Sequence, residues 1–78
     1  MNFLMMIFNM ETYIAFKVDN KGIKSNVVFK ILHSMDSNDF DVAVHSWLHR
    51  TNNFTPEDLQ EYFLSKGHKC KVSNFQLT

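Results

Sequence analysis

Thr12-Tyr13-Ile14-Ala15-Phe16-Lys17-Val18-Asp19-Asn20-Lys21-Gly22-Ile23-Lys24-Ser25-Asn26-Val27-Val28-Phe29-Lys30-Ile31-Leu32 is the stretch on which the fold turns. Its first seven residues alternate in polarity and are rich in β-branched and aromatic types, which predicts a strand. Asp19-Asn20-Lys21-Gly22 supplies the residue types of a tight reversal, and Ile23 to Leu32 returns as a second strand. A period-2 pleat then gathers Ile14, Phe16 and Val18 with Ile23, Ser25, Val27, Phe29 and Ile31 on one face. The opposite face receives Tyr13, Ala15, Lys17, Lys24, Asn26, Val28 and Lys30.

Downstream, the period changes to that of a helix. After His33, the side chains of Ser34, Asp36, Ser37 and Asn38 offer oxygens to free backbone N–H groups, and Asp39 and Asp41 suit a positive helix start. From Phe40, the residues Ala43, Val44, Trp47 and Leu48 form one apolar stripe that needs a sheet to cover. Thr51-Asn52-Asn53 breaks it. Thr55 then reads as an N-cap with Pro56 at the first helical position and Glu57 and Asp58 behind it. Phe54 and Leu59 are spaced as a hydrophobic staple. Leu59, Tyr62 and Phe63 supply the apolar side, Lys66 suits the negative end, and Gly67 is the stop. His68 to Leu77 reads as a last strand, with Cys70 and Val72 on one face and Lys69 and Lys71 on the other.

Upstream lies the apolar run Met1-Asn2-Phe3-Leu4-Met5-Met6-Ile7-Phe8-Asn9. Around Phe3 to Phe8 it is apolar on both faces, which fits a central or interface strand, with a short amphipathic helix as the alternative. It lacks the basic front and small-residue cleavage site of a signal peptide and the roughly 20 residues of a membrane span. Met10 is an alternative translation start to Met1. The expected fold class is α+β: a small antiparallel or mixed sheet, β-β-β-α-α-β, or β-β-α-α-β without the leader strand, with two helices packed on one face. Residues 1–78 form a single domain, of which 1–9 are the leader and 10–78 the compact core, and no repeat or low-complexity tract interrupts it.

The chain's 78 residues suffice for one small core, and 45% hydrophobic with 21% charged residues is the balance of a folded protein. A single cysteine, Cys70, excludes an internal disulfide and favours a reducing cytoplasm. Lysine outnumbers arginine (Arg50 alone), and asparagine and phenylalanine are frequent while alanine and glycine are rare. This bias suits an AT-rich genome, such as those of many phages, mobile elements and low-GC bacteria.

Site chemistry is sparse. His45 and His49 lie one helical turn apart with Asp41 a turn earlier, a spacing that can share zinc, but closure needs four ligands and would draw His33, His68 or Cys70 from elsewhere. No Cys-x-x-Cys or His-Glu-x-x-His pattern accompanies them, so no metal or other cofactor is expected and a solvated helix face is the simpler reading. His68 and Cys70 stand two apart on a strand, about 7 Å between backbones, too far for a ready thiol–imidazole bond. Nucleophile, base and oxyanion donor cannot be assembled, and an enzyme is not expected. The two helices and their polar turn resemble the first two helices of a helix-turn-helix, and Leu64 to Ser73 resembles the loop before a recognition helix. Only Asn74 to Thr78 follow, too few for a helix that enters a groove.

Charge placement says more than the net charge of zero. Residues 36–61 are strongly acidic, whereas 1–35 and 62–78 are basic. The expected molecule is therefore two-sided. Asp36, Asp39, Asp41, Glu57, Asp58 and Glu61 occupy the helical side and could meet the basic groove of a larger, nucleic-acid-binding host protein. Helix capping and solubility explain most of them one by one. Tyr13, Lys17, Lys24, Lys30, Lys69 and Lys71 line the outer sheet face, the alternative surface, for nucleic acid. A solvated sheet face is ordinarily lysine-rich as well. The leading expectation is a non-catalytic module that works by occluding a partner's surface, as inhibitor or adaptor. In size and composition it resembles the small proteins that phages and mobile elements use against host defence, anti-CRISPR proteins among them. Phe3, Leu4, Met6 and Phe8 are the expected contacts of a homodimer, since so small a core is marginal alone.

Overall fold

The computed structural model describes residues 8–75. Strands β1 (Met10–Asn20) and β2 (Ile23–His33) are followed by helices α1 (Ser37–Arg50) and α2 (Pro56–Ser65) and by strand β3 (Cys70–Asn74). The order β-β-α-α-β makes an α+β fold, with an antiparallel sheet of order β1-β2-β3. The expected leader strand and the dimer contacts Phe3, Leu4 and Met6 lie outside the described residues.

The hairpin forms as its residues dictate. Asn20 pairs with Ile23 around a two-residue turn in which Lys21 (φ 55°) and Gly22 (φ 85°) are both left-handed, the type I′ geometry that matches strand twist. The Gly22 N–H donates to Asp19 Oδ1 at 3.0 Å and closes it. Ile14 stands opposite Phe29, and Phe16 opposite Val27, so the expected inward set is brought together. Ile23 departs from that set's burial and is 70% exposed. The strands of 11 residues are about 36 Å long. The helices, 14 and 10 residues, span only about 21 and 15 Å, so the turn end of the hairpin overhangs them.

Of the candidate caps after His33, Asp36 takes the role: its carboxylate accepts the Asp39 N–H at 2.8 Å, and α1 starts at Ser37. Thr55 caps α2 as expected, accepting the Asp58 N–H at 3.2 Å with Pro56 in the first turn. The end of α2 is a Schellman motif: His68 N–H donates to the Phe63 carbonyl (2.9 Å) and Gly67 N–H to that of Leu64 (3.0 Å), with Gly67 at φ 85°. His68 is thereby used to stop the helix. β3 accordingly starts at Cys70, two residues later than the expected strand.

Both helices pack on one sheet face. Phe29, Ile31, Trp47, Leu59 and Phe63 are completely or almost completely buried between the layers, joined by Met35, Phe40, Val44, Cys70 and Val72. Phe54 and Leu59, the expected staple pair, both belong to this cluster. Trp47 lies among Phe16, Phe29 and Phe54, with ring centroids 5.8–6.1 Å away. At the outer edge of β3, the Val72 N–H donates to Gln60 Oε1 of α2 at 2.9 Å, so a helix side chain satisfies a strand-edge donor.

Candidate functional site

The fold leaves two broad surfaces: the open sheet face and the outside of the helices. The register places the outward side chains of the sheet in rows. From the turn end these are Asp19 with Lys24, Lys17 with Asn26, Ala15 with Val28, Tyr13 with Lys30 and Ser73, and Glu11 with Leu32 and Lys71. Phe75 joins the row of Ala15 and Val28, its N–H bonded to the Val28 carbonyl at 2.9 Å. Tyr13 is on edge strand β1 and Phe75 directly follows the opposite edge strand β3, yet their rings meet over β2 edge-to-face, 4.9 Å apart and inclined at 66°. Tyr13 keeps 46% of its surface exposed. The result is an aromatic centre floored by Ala15 and Val28, with Lys17 and Lys24 toward the turn and Lys30 and Lys71 toward the other end.

Glu11 tempers this basic face. Its carboxylate lies 3.3 Å from Lys30 Nζ and accepts the Tyr13 hydroxyl at 3.3 Å. Lys69 does not join the rows. It lines a depression beyond the sheet's end together with Phe8, Met35, Asp36, Asp39 and His68. Phe8, the one described residue of the expected dimer contacts, is half-buried in that depression.

Phe75 is the residue that sequence reasoning missed on this face. Alternation from Lys71 through Ser73 carries the signal for it.

The six carboxylates expected on the helical side have unequal tasks. Asp58 accepts from Trp47 Nε1–H at 2.8 Å and from the Thr51 hydroxyl at 2.7 Å, tying α1, the interhelical turn and α2 together. Asp36 caps α1, and its bond from the Asp39 backbone N–H holds its carboxyl below the ordinary aspartate range, with the nearby His68 adding to the effect. Asp39, Asp41, Glu57 and Glu61 are left exposed. Between them stand Val42 and Leu64, 58% and 60% exposed. One shallow depression joins Asp39, Val42, Ala43 and Tyr62 between the helices, a second joins Asp58, Glu61 and Tyr62, and a third joins Glu57, Glu61 and Leu64. Lys66 and His68 also line the first of these, and Val42 and Leu64 stand in separate depressions, each beside carboxylates. Lys66 lies over the Tyr62 ring, 5.6 Å from its centroid.

His45 and His49 are exposed on α1, while His33 is buried. Among the described residues no group of three or more His, Cys, Asp or Glu side chains is placed to share an ion. Cys70 is buried, which pushes its thiol up to about 11, and it pairs directly with buried His33 on the adjacent strand, while His68 lies off the strand. Among the described residues no helix is long and apolar enough to cross a membrane. Compared with protein-family models, curated proteins and solved structures, the chain matches none.

Proposed function

We propose that this chain is a non-catalytic binding protein that occludes a surface of a larger, basic host protein through its helical side. The observation that carries this reading is the exposure of Val42 and Leu64 on a helical side whose exposed carboxylates Asp39, Asp41, Glu57 and Glu61 outnumber its cations Arg50 and Lys66. Protein interfaces commonly combine apolar residues with polar ones, and an excess of one charge sign speeds encounter with a partner of opposite charge. The set is smaller than the six carboxylates of the sequence reading, because Asp36 and Asp58 are engaged within the fold. The lysine and asparagine bias is compatible with a phage or mobile element as the source and the lone cysteine with a cytoplasmic setting, and inhibition of a nucleic-acid-binding defence protein fits both.

Affinity purification from the native host, quantified by mass spectrometry, tests the reading. A partner with a basic surface should be retained by the wild-type chain and by a Lys24→Glu/Lys30→Glu variant. It should be lost with Asp41→Lys/Glu57→Lys/Glu61→Lys and weakened by Val42→Ser/Leu64→Ser. A partner lost with the lysine variant and kept by the other two would overturn the assignment of the helical side.

A further inference from the structure

We propose that the open sheet face is a binding site for single-stranded nucleic acid, with Tyr13 and Phe75 as the stacking platform and Lys17, Lys24, Lys30 and Lys71 as phosphate contacts. This goes beyond the helical-side reading and stands on different residues.

Strand alternation puts Tyr13 and Phe75 on this face, and the fold brings the two rings together. Phe75 is brought to Tyr13 only because β3 pairs with β2 in the register that sets Phe75 beside Val28. A half-exposed tyrosine propped edge-on by a phenylalanine presents a ring whose orientation is fixed before a ligand arrives, which lowers the ordering cost of stacking. Small Ala15 and Val28 beside the rings leave headroom for a base.

The lysines are arranged to hold a strand across that platform. Two lie on the turn side and two on the opposite side, so a backbone crossing the aromatic centre meets ammonium groups before and after it. Alternation along extended strands separates successive outward rows by about 7 Å, and each lysine adds its own reach. Base stacking with flanking phosphate contacts is the usual economy of single-strand binding, in which the π-face is common to every base. A duplex conceals those faces, so the platform selects against it. The overhanging hairpin turn leaves the Lys17–Lys24 end clear of the helices, and the path stays open at that end.

Glu11 marks the site's limit and supplies its control. Its carboxylate occupies Lys30 and the Tyr13 hydroxyl. A phosphate arriving at Lys30 must compete with it. Glu11→Gln should therefore strengthen binding, a result that mere charge-independent packing would not give.

The experiment is fluorescence anisotropy of the full chain with labelled oligo(dT) and oligo(U) of twelve nucleotides and a duplex of equal length. Measurements run from 20 to 200 mM salt, and heparin fragments serve as competitor. Both single strands should bind more tightly than the duplex, with affinity falling as salt rises. Tyr13→Ala and Phe75→Ala should each weaken binding about 10-fold, Tyr13→Phe should retain it, and Glu11→Gln should tighten it. Lys17→Ala, Lys24→Ala and Lys71→Ala should each lower the salt slope by about 1. Thermal melts of every variant identify loss of fold, and Tyr13→Phe with Glu11→Gln keep the test decisive where an alanine variant melts. No binding at 20 mM salt overturns the proposal. So does binding that duplex or heparin matches, or binding that both aromatic variants keep at full strength, since charge alone would then explain it.

Discussion

Thr12, His33, Met35 and Phe40 fix the protonation state of a buried imidazole. His33 is 1% exposed and stacks on Phe40 at 4.4 Å. Its Nδ1 accepts the Met35 N–H at 3.1 Å, so the ring hydrogen must sit on Nε2 and be donated to Thr12 Oγ1, 2.8 Å away. A second proton would have to enter at Nδ1, where an N–H already points. Burial accordingly lowers the pKa of His33 from its ordinary value of 6.5. The unfolded chain then binds a proton near 6.5 that the folded chain refuses, so this stability is complete above about pH 6.5 and declines as pH falls toward the folded value. Urea midpoints should drop between pH 7.5 and 5, and His33→Gln should flatten that slope; an unchanged slope in the variant would refute the role given to His33. The carboxylate of Asp58 makes a second residue-scale case. Asp58→Ala strands the Trp47 N–H and the Thr51 hydroxyl and should cost about 2 kcal/mol, whereas exposed Glu61→Ala should stay within about 0.5 kcal/mol. Equal losses in urea denaturation would show that Asp58 is no more than another surface charge.

The elements themselves are governed by local stops and starts, and there the sequence is most legible. Thr55-Pro56 announces α2, Gly67 ends it, and Asp19 to Gly22 turn the hairpin, because each signal acts within four residues of where it is read. The hairpin turn is also improvable. Lys21 adopts φ 55°, a left-handed conformation that costs a side chain such as lysine more than it costs asparagine. Lys21→Asn should stabilise by about 0.5 kcal/mol and raise the melting midpoint, while Gly22→Ala at φ 85° should lower stability by about 1 kcal/mol. A drop with Lys21→Asn would mean that the turn is of another type. What was not legible depends on distant partners. Four oxygen-bearing residues compete to cap α1, and only packing selects Asp36. The task of Asp58 depends on Trp47, one helix earlier, and the exposure of Ile23 depends on how far the helices reach along the strands. The joining of Phe75 to Tyr13 needs the β2–β3 register, which no local pattern encodes.

For the whole molecule, one layer of helices on one layer of sheet leaves two exteriors, and they differ in sign. Lysines of the outer sheet face and carboxylates of the helices are separated by the buried cluster of Phe29, Ile31, Trp47, Leu59 and Phe63. Among the described residues the ion pair found, Lys30 with Glu11, lies within the sheet face and does not join the two sides. The helical side exposes Val42 and Leu64 among carboxylates, and the sheet face sets Tyr13 and Phe75 among lysines. Both functional proposals therefore depend on the two faces acting as separate surfaces. Amide chemical-shift mapping by NMR tests this most directly, with a lysine- and arginine-rich peptide and oligo(dT) added in turn to the labelled full chain. The peptide should move the signals of Asp39, Asp41, Val42, Glu57, Glu61 and Leu64, and the oligonucleotide those of Tyr13, Ala15, Lys17, Val28 and Phe75. Shifts from both ligands on the same residues, or scattered evenly over sheet and helices, would contradict the account.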